Sequence, residues 1–283
     1  MKILVFGKTG QVARELARRG TAHDLTCLGR DAAELTDPAA CDAAIRAHRP
    51  DAVINAAAYT AVDKAETEPD LAQAVNVDAP GTMARVAAAL HIPFLHISTD
   101  YVFAGTGSTP WRETDPARPQ NIYGATKLAG ENMVRIAGGQ EIVLRTSWVF
   151  SAHGTNFVKT MLRLSETRKA MSVVDDQIGG PTPASAIADA LLFLAPALAD
   201  GAPGGLYHFA GQPAVSWAGF ARETFALAGR MMTVNGIPSA EYPTPARRPL
   251  NSRLDCSALE RDFAIVPPDW REALVDVLHD LAV

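Results

Sequence analysis

Cysteine is scarce in this 283-residue chain: Cys27, Cys41 and Cys256 are odd in number and widely spaced. That pattern excludes a disulfide framework and a metal knuckle, and it reads as free thiols in a reducing compartment. No basic stretch dominates and the formal net charge is -5, so nucleic acid is not an expected partner. The longest apolar run, residues 187–199, is broken by Asp189 and Pro196 and is too short to span a bilayer. A strand-like segment begins at Lys2 and leaves no room for a signal peptide. The expectation is a cytoplasmic protein with no membrane partner. Repeats, low-complexity tracts and metal motifs are missing as well. What remains is an ordinary globular composition, 48% hydrophobic and 20% charged, on a chain long enough to bury a full core.

Residues 3–6 form an unbroken apolar run, as a parallel strand buried on both faces requires. Gly7, Gly10 and Ala13 follow in a G-x-x-G-x-x-A spacing, and a helix is predicted over 15–19, stopped by Gly20. Strand, glycine turn and helix together make a phosphate-binding start, in which glycines allow close backbone approach and the helix N-terminus faces a pyrophosphate. A second strand, 25–28, ends at Gly29, Arg30 and Asp31. Arg30 suits the 2′-phosphate of NADPH, while Asp31 keeps NADH open, and a solvated loop charge is the other reading of Arg30. Residues 35–38 cap the next helix, with Asp37 in reach of an adenine. A third strand, 52–55, ends in the small residues Ala56, Ala57 and Ala58 before Tyr59 and Thr60. These let a cofactor lie against the backbone, or let a helix pack tightly on the sheet. A helix is predicted over 70–90 with an irregularity at Pro80, then a strand over 93–97 followed by Ser98, Thr99 and Asp100. A polar triplet at the carboxyl end of a central strand sits where open α/β sheets bind ligands.

Asn121 is a good N-cap, and residues 122–137 suit a helix stopped by Gly138 and Gly139. Tyr123 and Lys127 are four apart and project from one face of it. A free tyrosine is a sluggish acid-base group at neutral pH, and a nearby ammonium favours its phenolate. Such a pair can protonate a carbonyl oxygen as it is reduced. A strand over 141–145 leads to Trp148. Beyond residue 150 the pattern changes to a helix over 158–166, a strand over 173–177, an Ala-rich helix and a strand over 206–209. A proline-rich basic stretch, 242–253, carries Arg248 and Arg253 and suits a loop over an anionic substrate, or a semi-rigid linker. The alternation predicts an α/β protein, a Rossmann-type doubly wound parallel sheet with a smaller C-terminal substrate-binding domain. Residues 1–149, plus about 172–210, are assigned to the dinucleotide-binding domain, and 150–171 with 211–283 to the substrate-binding region.

The motifs beginning at Gly7, Asn55, Ser98, Tyr123, Arg145, Asn156, Asp176 and Arg248 together resemble the dTDP-4-dehydrorhamnose reductase family, within the extended short-chain dehydrogenases/reductases. The resemblance runs essentially end to end. It implies NAD(P)H-dependent reduction of the C4 ketone of a nucleotide sugar, dTDP-4-dehydro-β-L-rhamnose. By resemblance, Gly10, Gln11 and Val12 hold the cofactor pyrophosphate and Ala57, Tyr59 and Thr60 line its site. Tyr123 and Lys127 bind the nicotinamide ribose, Tyr123 donates the proton, and Thr99 tunes it. Thr99, Asp100 and Trp148 touch the substrate. Two departures stand out. Ala13 replaces a usual glycine. Some family members bind Mg²⁺ at a homodimer contact, and although Glu15 matches one ligand position, Ser185 stands where a Glu is expected. Metal and homodimer are therefore left open. Nucleotide-sugar epimerases and dehydratases share the scaffold, as do non-catalytic NADP-binding regulatory subunits. The presence of Thr99, Tyr123 and Lys127 together favours the reductase.

Overall fold

The computed structural model describes residues 1–282. Strands β1 (Lys2–Phe6), β2 (Asp24–Leu28), β3 (Ala52–Asn55), β4 (Phe94–Thr99) and β5 (Glu141–Thr146) pair in parallel. After the short strands β6 (Val149–Phe150), β7 (Ala170–Val174), β8 (Ile178–Gly179) and β9 (Thr182–Pro183), strand β10 (Gly205–His208) returns to the same sheet beside β5. The order β10-β5-β4-β3-β1-β2 reverses its winding between β1 and β3. Successive strand side chains point to opposite faces. Ile3, Val5, Ile54 and Leu95 thus pack under the helices Gln11–Arg19 and Ala184–Ala199. Leu4, Phe6, Val53 and Phe94 pack under Pro38–His48, Ala79–Ala89 and Ile122–Ile136. This is the doubly wound sheet that the apolar runs predict.

Two boundaries differ from expectation for local reasons. The first helix begins at Gln11 rather than at Glu15, because Gly10 is extended (φ -68°, ψ 159°) and supplies its N-cap. The irregularity at Pro80 is a π turn, Ala74–Asp78, between the helices Pro69–Gln73 and Ala79–Ala89. Proline has no N–H to return to the Asn76 carbonyl, so the ladder widens there.

The last third adds β11 (Val215–Ser216), β12 (Thr233–Ile237) and β13 (Asn251–Ser252). β12 pairs with β7, while β11 and β13 flank β8. The predicted strand over 173–177 lies slightly earlier, as β7. The segment 172–210 divides: its first part joins these small sheets, and Ala184–Ala199 with β10 returns to the large one. Phe150, Val158, Phe220, Trp270 and Leu274 form a separate core here. Among the described residues, no helix is long and apolar enough to cross a membrane.

Candidate active site

The carboxyl ends of β1, β3, β4 and β5 open into one cleft of about 770 Å³, at the point where the strand order reverses. Open α/β sheets place ligands in that crevice. The cleft is bordered by Gly7, Gly10, Gln11, Val12 and Arg30 on one side and by Ala57, Tyr59 and Thr60 on another. Thr99, Asp100, Tyr123, Lys127 and Trp148 complete it. Three residues singled out from the sequence do not border it. Asp37 caps the helix Pro38–His48, its Oδ1 accepting from the Ala39 N–H at 3.0 Å, and Glu34 and Thr36 line the cleft instead. Arg248 is held by Asp63 in a two-pronged pair at 3.1 and 2.8 Å, and Arg253 donates to Asn251 Oδ1 at 3.0 Å. The basic stretch is thus tied into the protein. Its expected approach to a diphosphate is not what this geometry shows.

The helix carrying Tyr123 and Lys127 starts at Ile122 because Asn121 Oδ1 accepts the Gly124 N–H at 2.7 Å. The Asn121 amide also donates to the Arg247 carbonyl at 2.8 Å. Two glycines let this helix lie against its neighbours. A Cβ on Gly124 would stand 2.2 Å from the Tyr101 carbonyl oxygen, and one on Gly130 would stand 2.0 Å from that of Asn76. Asn76, in the π turn, accepts from the Tyr59 N–H at 2.9 Å and donates to Tyr59 O and Thr126 Oγ1, both at 3.2 Å. It clamps the turn after β3 to the helix. Only the chance of an irregularity at Pro80 hinted at it in the sequence.

The electrostatics follow from burial. Tyr123 is partly open to the cleft, but burial of its hydroxyl pushes the phenol up to about 12, with the neighbouring Thr99 hydroxyl acting in the opposite sense. Burial brings Lys127 down to about 8, while the charge of Glu131 opposes that shift. The expectation that Lys127 acidifies Tyr123 is not met in this geometry. The Lys127 Nζ turns to β4, donating to the Ile97 carbonyl at 2.8 Å and lying 3.2 Å from His96 Nε2. Glu131 accepts from Arg145 at 2.9 and 2.6 Å and from Ser98 Oγ at 2.5 Å, a buried pair that anchors the helix to β4 and β5. Asp100 is 2% exposed. Burial raises it to about 6 despite hydrogen bonds from Ser252 and Thr99, and its Oδ2 has no partner among the described residues.

Trp148 has φ 50°, an uncommon region for a bulky residue and a mark of functional sites. Its ring stacks on Trp217 at 3.6 Å between centroids. Trp217 also borders the cleft, yet it opens a helix in the C-terminal third, and no local motif marks it. Opposite, Gln11 Oε1 accepts from Ser151 Oγ at 2.9 Å and Asn156 Nδ2 at 2.8 Å. The glycine turn is thereby tied to the loop that carries Gly154 and Thr155 over the cleft.

Glu15 does not fit a metal here. Its Oε2 lies 2.9 Å from Arg18 and 3.3 Å from Arg19, and its Oε1 lies 3.1 Å from His153. Two arginines and the His153 ring already occupy both oxygens, and Ser185 on the same small cavity brings no charge.

The family model of the RmlD substrate binding domain matches residues 1–283. A dTDP-4-dehydrorhamnose reductase of Sinorhizobium fredii is 43% identical over 281 residues, covering 96% of this chain and 95% of that protein. The crystal structure of a dTDP-4-dehydrorhamnose reductase from Clostridium acetobutylicum superposes with a TM-score of 0.94 at 35% identity, covering all of both chains. That of the dTDP-4-dehydrorhamnose reductase of Bacillus anthracis in complex with NADP gives 0.93 at 31% identity, over 99% of this chain and 100% of that one.

Proposed function

The chain belongs to the RmlD substrate binding domain family, and from that premise we propose that it reduces the C4 ketone of dTDP-4-dehydro-β-L-rhamnose to dTDP-β-L-rhamnose with NADPH. The observation that carries this reading is the convergence of Thr99, Tyr123 and Lys127 on one cleft at the switch point of the sheet. The cleft suits a nicotinamide dinucleotide. The helix Gln11–Arg19 points an N-terminus without a side-chain cap into it, where free N–H groups favour a pyrophosphate. Arg30 on the same wall suits a 2′-phosphate, and a relative has been crystallised with NADP. The bound dinucleotide supplies the hydride.

The protein's own groups then handle charge and alignment. Tyr123, held near 12, is protonated at neutral pH and is therefore a donor rather than a base. It gives its proton to the ketone oxygen as negative charge grows there. Thr99 borders the same cleft beside Tyr123, where its hydroxyl, resting on Asp100, is the second polar group next to the phenol. Lys127, an ammonium whose Nζ turns to β4 rather than to the phenol, orients the ribose from the same helix face. Asp100 and the Trp148–Trp217 stack bound the sugar side of the cleft. For the chain's division, we propose residues 1–149 with about 184–210 as the cofactor half, and the remainder as the half that meets the sugar nucleotide.

The direct test incubates purified protein with the 4-keto sugar nucleotide and NADPH or NADH. Stoichiometric cofactor oxidation with formation of dTDP-rhamnose is expected. No oxidation with either cofactor, or protein that carries its own tightly held NAD⁺ and turns over without added reductant, overturns the proposal.

A further inference from the structure

Behind Lys127 lies a buried polar chain that reaches back to the main chain of the cofactor turn. The Ala57 N–H donates to Asn55 Oδ1 at 3.1 Å. Asn55 Nδ2 lies 3.1 Å from His96 Nδ1, and His96 Nε2 lies 3.2 Å from Lys127 Nζ. Asn55 and His96 are 1% and 0% exposed, so water does not rearrange these contacts.

Hydrogen-bond direction along the chain is set from its far end. A main-chain N–H can only donate, so the atom of Asn55 facing Ala57 is its oxygen, and its NH₂ faces His96. His96 Nδ1 must then accept. Burial and the adjacent Lys127 keep His96 neutral, well below its ordinary range, and a neutral imidazole with an accepting Nδ1 carries its hydrogen on Nε2. That hydrogen points at Lys127 Nζ. A neutral amine accepts it and still donates to the Ile97 carbonyl 2.8 Å away. An ammonium has no lone pair to accept it.

Resting on the reductase reading above, we propose that His96, held in its Nε2–H tautomer by Asn55, is a positioning residue that sets the proton affinity of Lys127 and thereby the alkaline limit of catalysis. The charged and titratable groups around the pair are few. Tyr123 and Glu131 share the helix of Lys127, Asp100 follows β4, and Arg145 on β5 holds the Glu131 carboxylate. Glu131 is the charge that favours the ammonium, and its tie to Arg145 limits that effect. His96 acts in the opposite sense. Lys127 keeps its proton at neutral pH and loses it just above.

The first test reads the tautomer in the wild-type protein. In protein labelled with ¹⁵N-histidine, the His96 ring, assigned through contacts to the Asn55 side-chain amide, shows a neutral imidazole protonated at Nε2 across neutral pH. An Nδ1–H tautomer or an imidazolium overturns the proposal, whatever the enzyme's activity. The second reads the pH profile of ketone reduction. The wild-type rate falls as pH rises through about 8. In His96→Gln the side-chain carbonyl is free to accept from the ammonium, and the alkaline limb moves up by about one pH unit, a tenfold change in acid dissociation. An alkaline limb that stays in place in a folded His96→Gln protein reduces His96 to packing and overturns the proposal. Absence of reductase activity in the wild type would instead sink the functional reading and leave the tautomer result standing.

Discussion

Replacing Asp100 by Asn should make the protein more stable and less active, and only on the alkaline side of the Asp100 titration. Asp100 is buried at the cleft wall, and its carboxyl is raised from 3.8 to about 6. The folded chain therefore binds this proton more tightly than the unfolded chain does. The cost of burying the charge is present in full above about pH 6 and fades as pH falls toward 3.8. At about 1.4 kcal/mol per pH unit, the gap amounts to roughly 3 kcal/mol at pH 7. Asn is nearly isosteric, keeps the oxygen that faces Thr99 Oγ1 at 3.1 Å, and loses little at Oδ2, which has no partner among the described residues. Asp100→Asn is therefore expected to be more stable by up to about 3 kcal/mol at pH 7 and nearly unchanged at about pH 4. Urea denaturation followed by circular dichroism at both values measures this. Reduction should weaken in the same variant, because the charge is proposed to meet the sugar. A stability difference independent of pH, or a variant less stable at neutral pH, would refute the reasoning.

Tyr123→Phe removes one hydroxyl and keeps the edge-on ring contact with Tyr101, so fold and cofactor affinity should survive while kcat falls about 10²–10⁴-fold. Near wild-type kcat in the folded variant would remove Tyr123 from the mechanism. Arg30→Ala should raise KM for NADPH about ten- to a hundredfold, as loss of a charge-assisted hydrogen bond implies, and leave NADH nearly unaffected; equal effects on both would remove Arg30 from cofactor choice. Trp217→Ala takes away the platform on which Trp148 stacks and should weaken dTDP-rhamnose binding without changing that of NADPH. Calorimetry showing unchanged sugar-nucleotide affinity would confine the pair to packing.

Much of this protein is legible residue by residue. Short apolar runs such as residues 3–6 and 52–54 read as buried parallel strands, and Asn121 with the glycines at 138–139 bounds the helix of Tyr123 and Lys127, because caps and stops are local chemistry. Thirteen of the sixteen residues singled out for the site border one cleft, since motifs at strand ends are gathered by the sheet itself. What the sequence did not reveal depends on contacts between distant segments. Arg248 looked free for a diphosphate until Asp63, far away in the chain, proved to hold it. Trp217 meets Trp148 only because the C-terminal third folds over the cleft. Lys127, four residues after Tyr123, was expected to acidify it, yet its amine turns to His96 and Ile97. Helical spacing decides which face a side chain leaves from. Which way a long side chain then turns, and what burial does to its charge, depend on the strand packed beneath it, and only the tertiary structure decided that.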